Sequence, residues 1–362
     1  STTLIRTDGG RVEFAGAIDL NQRNLTMDTT GSGVFSNGND IYLDDSLDGA
    51  ATITLDAGTA GNISVNHLSG AVGAITPLTE INLANAKQAI FGSDVSAGTV
   101  TLTDATDFIA LYGILNITTA IVSTAQPYSL KLLGGSNSIA GVTTFLNTGN
   151  LQLGDSGVDT FTFVGGVLAT APAEIKISAN IEATNGVITL GDSDSQVKVV
   201  SGVVGGPSTG NITFGNVQII GDGSNFSVGT GVANTIQIGS ISGTAGGFSE
   251  NVTFNTTGAV TVSGAVGTDI GLLTITNSGG TTFQSSVAAG TATITNTTGT
   301  VAFQGDLNLG TSLVTGAQAY NISITGTNNT IAGQTTFANS GALTLNDASG
   351  DTTTFVDGLT VV

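Results

Sequence analysis

The chain contains no cysteine. Disulfides, thiolate metal sites and cysteine nucleophiles are therefore excluded. Tryptophan is also absent, and there is one methionine (Met27) and one histidine (His67). A single imidazole without a thiol does not build a zinc site by itself, so His67 is read as a lone structural or exposed residue. Proline occurs only 4 times and 40% of residues are apolar, which argues against a disordered chain. No apolar run reaches about 18 residues, so no transmembrane helix is expected.

Positive charge is scarcer still. Among 362 residues there are 7 Lys and Arg against 26 Asp and Glu, for a net charge of −19, and no base follows Lys198. Nucleic-acid binders neutralise phosphates with several bases, so that class is excluded, and anionic membrane surfaces are disfavoured for the same reason. Charged residues make up 9% of the chain, against roughly 25% in ordinary soluble domains. Thr, Ser and Asn fill the polar positions, and the 53 glycines are about twice the usual share.

What is abundant is period-2 alternation. Segments such as 51–56 (ATITLD), 174–178 (EIKIS), 211–214 (NITF), 251–254 (NVTF) and 321–324 (NISI) place β-branched residues on one face, bounded by Gly, Asn and Asp. These are short strands. A long repeat lies over them. Residues 125–167 align without a gap on residues 317–359, 192 positions later, with 22 of 43 positions identical. Finer spacings suggest a coil: Phe283 and Phe303 are 20 apart, while Phe145/Phe163 and Phe337/Phe355 are 18 apart. The expected architecture is a right-handed parallel β-solenoid (β-helix), with tandem antiparallel β-sandwiches as the alternative. At about 20 residues per coil it has roughly 17 coils and makes a rod of about 80 Å.

Three parts are expected: an acidic, less regular part over 1–122, a first repeat-bearing part over 123–199, and a regular Gly/Thr/Ser-rich part over 200–362. Residues 77–92 (PLTEINLANAKQAIFG) read either as a short helix capped by Thr79 or as a further β stretch. Residues 104–115, the most apolar run, are expected under a loop or at a contact between parts. The apolar end, Leu359-Thr360-Val361-Val362, lacks a polar cap. Either the native chain continues beyond it or another subunit docks there.

Carboxylates are the candidates for chemistry. Glycoside cleavage needs two of them facing each other. The groups are Asp40, Asp44, Asp45 and Asp48; Asp104 and Asp107; Asp155 and Asp159; and Asp192 and Asp194. Most stand beside Gly or Ser, where Asp caps turns, and no catalytic residue is assigned. The oxygen-rich turns make Asp40, Asp44, Asp155, Asp159, Asp192 and Asp194 candidate Ca2+ ligands. No other cofactor is expected. Gly-rich turns such as 134–135 are not followed by Lys-Ser/Thr and do not match phosphate loops.

Residues 315–337 (TGAQAYNISITGTNNTIAGQTTF) and 342–355 (ALTLNDASGDTTTF) resemble the repeat unit of large exported bacterial β-strand-repeat proteins, of the filamentous-haemagglutinin-like and autotransporter-passenger kinds. The resemblance implies an extracellular or cell-surface location. It also implies a non-enzymatic role as a rod, filament subunit or adhesin, with partners among copies of itself or host and matrix surface glycans or proteins. A carbohydrate-binding or carbohydrate-cleaving β-helix of tail-fibre or lyase type is the other functional reading. The matching motifs mark the scaffold rather than a site.

Overall fold

A computed structural model describes residues 2–65, 70–244, 246, 249–267 and 269–362; His67 lies outside them. Among the described residues the chain is all β, without a helix, and its strands stack in parallel as a β-solenoid of about 16 turns. The antiparallel sandwich reading is thereby excluded; antiparallel contact is confined to an isolated bridge, Asp8 to Thr30, among the described residues. Among the described residues no helix is long and apolar enough to cross a membrane. Contacts divide the chain into two compact units, residues 1–184 and 185–362.

In the first unit each coil contributes up to three short strands, and each strand pairs with its counterpart one coil on. Coil length is not constant: the pairing of Leu78 with Ala97 closes a short coil, and that of Val12 with Ile41 a much longer one. Register is held by the inward residues, because a one-residue slip would turn the apolar side of a strand to solvent. Leu25, Ile53, Ile81, Val100 and Ile121 follow one another in register from coil to coil, and all are buried. Each contributes about 1.5–3 kcal/mol of burial. Loops between strands are locked by close backbone approach. Gly38 has φ +58°, and a Cβ there would lie 2.0 Å from the Ala57 carbonyl oxygen, so only glycine fits.

The second unit obeys the same rule, with a short coil between Leu272 and Thr291 and a longer one between Asn225 and Asn251. Its inward column Ile238, Val262, Phe283, Phe303, Ile324 is buried throughout. The rings of Phe283 and Phe303 stack at 5.1 Å with planes 6° apart.

The spacings of Phe145 to Phe163 and of Phe337 to Phe355 proved not to be coils. Phe163 pairs with Ile139, and Phe355 with Ile331. Phe145 and Phe163 meet edge to face at 6.2 Å from different sides of one coil, as do Phe337 and Phe355 at 6.0 Å. One open reading is decided and another corrected. Residues 77–92 take the β alternative, forming strands Leu78–Asn85 and Gln88–Phe91, because stacking on the coils before and after outweighs the local helix propensity of Ala, Glu, Lys and Gln. Phe108–Leu111, in the apolar run, is an ordinary coil strand with Ile109, Ala110 and Leu111 buried.

The repeat is structural in detail. Leu130 pairs with Leu151 and Ser136 with Thr160; at the matching positions of the second copy, Ile322 pairs with Leu343 and Asn328 with Thr352. The correspondence also begins earlier than the aligned sequence. Leu115–Ser123 and Leu307–Thr315 share one burial pattern. Each stacks on a strand whose register shifts at the same place, between Ala97 and Thr99 in one copy and between Ala289 and Thr291 in the other.

Candidate functional site

Most of the candidate carboxylates are occupied by backbone or by the neighbouring coil. Asp159 accepts the backbone N–H groups of Asp155 and Ser156, both at 3.0 Å, and its counterpart Asp351 accepts those of Asp347 (3.4 Å) and Ala348 (2.9 Å). Asp192 accepts from the N–H of Asp194 at 2.9 Å and of Ser195 at 3.1 Å, and Asp194 accepts from the Ser193 hydroxyl. Asp40 reaches the next coil, accepting the Asn62 backbone N–H (2.8 Å) and side-chain amide (3.0 Å) as well as the Tyr42 hydroxyl (2.9 Å). Asp45 takes the Ser46 N–H, and Asp48 the N–H groups of Ile75 and Thr76. Asp44 is half-buried at the end of the strand Ile41–Leu43, and Asp104 is half-buried in a loop. Asp155 is exposed. Among the described residues no three of His, Cys, Asp and Glu converge on one point.

The most strongly perturbed carboxylate escaped the sequence reading. Asp28 is 6% exposed, next in register to Arg6 and Asp56. Burial alone would raise its pKa. The Thr30 hydroxyl, the Arg6 guanidinium and the backbone N–H groups of Thr30 and Ser32 outweigh burial and hold the carboxyl at about 2. The sign follows: stability from the ionised group is present above the unfolded value near 4 and is lost as pH falls toward 2. Asp28→Asn is expected to cost about 2 kcal/mol at pH 7. Melting curves of the two proteins should converge between about pH 4 and pH 2, and a gap that persisted at pH 2 would contradict this account.

Lysines, not acids, mark the most distinctive surface. On one strand face of the first unit, Lys131, Gln152 and Lys176 stand one above another in register. Alternation turns them outward while Leu130, Leu132, Leu151, Leu153, Ile175 and Ile177 fill the core. Successive coils are about 4.8 Å apart, so Lys131 and Lys176 are about 10 Å apart with Gln152 between them. They open into a groove of about 240 Å³ whose rim includes Asp107, Phe108 and Glu174. The Lys131 ammonium lies 4.7 Å from the centre of the Phe108 ring, and Asp107 accepts the Gln88 side-chain amide at 3.0 Å. Among the described residues neither lysine is paired with a carboxylate. A second hollow, about 330 Å³, lies on the same face beside Tyr42, Lys87 and Gln88.

The repeat supplies an internal control. At the positions of Asp107, Phe108, Lys131 and Gln152, the second copy has Gly299, Thr300, Ser323 and Thr344. Coil register is the same in both, and the core differs only in part, with Thr353 in place of the buried Phe161, so the groove is decoration that the register does not require. Sequence reading missed it because Lys131 and Lys176 lie far apart along the chain. They become neighbours only once the coil register, Lys131 to Gln152 to Lys176, is known. Compared with family models, curated proteins and solved structures, the chain matches none.

Proposed function

We propose that the chain is a structural protein of the cell surface or extracellular space: a stiff spacer, a filament subunit or the shaft of an adhesin, and not an enzyme. The observation that carries this reading is the duplicated coil block, in which the coil register recurs while the outward residues Asp107, Phe108, Lys131 and Gln152 change to Gly299, Thr300, Ser323 and Thr344. A fold that repeats its register and varies part of its exterior is suited to presenting surfaces along an axis, and parallel stacking ties each coil to both neighbours. The use of Asp side chains as turn caps and coil clamps, rather than as converging pairs, also favours a scaffold. Contacts would be made with further copies of the chain or with glycans and proteins of a neighbouring surface.

Negative-stain electron microscopy of the purified native protein tests the proposal. Elongated particles, or filaments with a regular axial repeat, are expected; compact particles at every concentration would overturn it. A carbohydrate-binding solenoid is the second reading, favoured by the lysine-lined groove.

A further inference from the structure

We infer that the groove around Lys131, Gln152 and Lys176 binds a carboxylate-bearing glycan chain lying along the coil axis. The inference rests on the adhesive form of the proposed function and gives it a ligand.

The first step is a charge argument. The chain has 26 acids for 7 bases, so a lysine has many carboxylates to pair with. Arg6 and Arg11 do pair, with Asp28 and Glu13. Lys131 and Lys176 do not, although Asp107 and Glu174 stand on the same rim. Asp107 is engaged by Gln88, and Glu174 also has a partner of its own. The two lysines are half-buried, where attraction to an anion is stronger than at a fully exposed site. Neither carboxylate pairs with these lysines, so an anion that bridges both would come from outside the groove.

Geometry then selects the class. The lysines are two coils apart, about 10 Å, on a straight column. A ligand that meets both must offer anions at that interval along a line, with hydroxyls between them for Gln152. An extended acidic glycan that presents a carboxylate to one side at every second ring, as an extended polyuronate does when successive rings face opposite ways, meets both demands. The groove is lined by residues of four successive coils and so extends along the axis, which suits a chain lying along it. Net charge works against a long polyanion at a distance, but screening limits that repulsion to about 8 Å at physiological ionic strength. Contact at the lysines decides the outcome. At the matching positions the second copy carries hydroxyls (Thr300, Ser323, Thr344) and no lysine, so it provides no equivalent site.

The test is calorimetric titration of the full chain with an oligogalacturonate, a neutral galacto-oligosaccharide and poly-glutamate as probes. The oligogalacturonate should bind and the neutral sugar should not. Lys131→Gln with Lys176→Gln should weaken binding about tenfold or more, in line with the loss of a charge-assisted contact. Gln152→Glu should do the same without removing either lysine, by supplying the missing carboxylate internally. Circular dichroism melts confirm that each variant is folded. Absence of oligogalacturonate binding, unchanged affinity in the folded variants, or equal binding of poly-glutamate would each overturn the inference. None of these outcomes alters particle shape in the microscope, so failure here is separable from failure of the structural reading.

Discussion

Replacing Phe283 with alanine is expected to destabilise the second unit by about 3–5 kcal/mol. The side chain is fully buried, its ring stacks on Phe303 at 5.1 Å and meets Phe254 at 6.5 Å, and Val262 and Phe303 are its register partners on the two sides. Alanine removes the ring and leaves a cavity that stacked coils cannot close, because each strand is held in register by two neighbours. Phe283→Leu keeps most of the volume and should cost about 1 kcal/mol. Hydrogen exchange read peptide by peptide checks both statements: strands Val260–Val262, Thr281–Phe283 and Thr300–Phe303 should lose protection in the alanine variant. A loss of less than about 1 kcal/mol would show that the stacked rings are not a keystone of the core.

The second large effect concerns a polar residue. Asn137 is 2% exposed and joins three successive coils. Its side-chain oxygen accepts the Leu115 N–H at 3.0 Å, and its amide group donates to the carbonyls of Gly134 and, at 3.1 Å, Thr160. Asn137→Ala strands one buried donor and two acceptors, at about 1–3 kcal/mol each where water cannot replace the partner, so a total of about 3 kcal/mol is expected. Asn329 makes the matching contacts in the second copy, accepting from Leu307 at 2.9 Å and donating to Gly326 and Thr352, and it adds one to the Thr353 hydroxyl at 3.1 Å, which has its own second partner in Asn346. Asn329→Ala should therefore cost the same to within about 1 kcal/mol. Denaturant unfolding of both variants measures this, and exchange of the Leu115 and Leu307 amides locates it. Unequal losses would mean that the two copies share sequence without sharing energetics.

The coil architecture was legible because it is written in local alternation, which repeats often enough to read without knowing any partner. Coil length was legible in part: the spacing of Phe283 to Phe303 is one coil. The edge-to-face pair Phe145/Phe163 mimics an axial stack in sequence, and only the pairing of Phe163 with Ile139 reveals the difference. Residues 77–92 left helix and strand both open for a related reason: their helix-forming composition is local, whereas the pairing of Ile81 with Ile53 and Val100 is not. The acid clusters were visible at once, since Asp beside Gly is a short-range signal, and so was their use as caps. Asp28 was missed because its burial and its ion pair with Arg6 come from adjacent coils, although its Thr30 and Ser32 partners are local. The groove was missed because its lysines belong to different coils and look, in sequence, like ordinary outward residues of two unrelated strands.

The matched registers of the two copies separate what keeps this chain folded from what it shows its surroundings. Inward positions are answerable to neighbours above and below; outward positions answer only to solvent or to a ligand. Thr300, Ser323 and Thr344 stand where the first copy carries Phe108, Lys131 and Gln152, and each can change identity without touching a core contact. Gly299, at the position of Asp107, is the exception, since a Cβ there would lie 2.3 Å from the Gly279 carbonyl oxygen. A lineage of such chains can therefore acquire, exchange or erase its recognition surfaces while the coil register is kept, and the silent face of one block is raw material for the next.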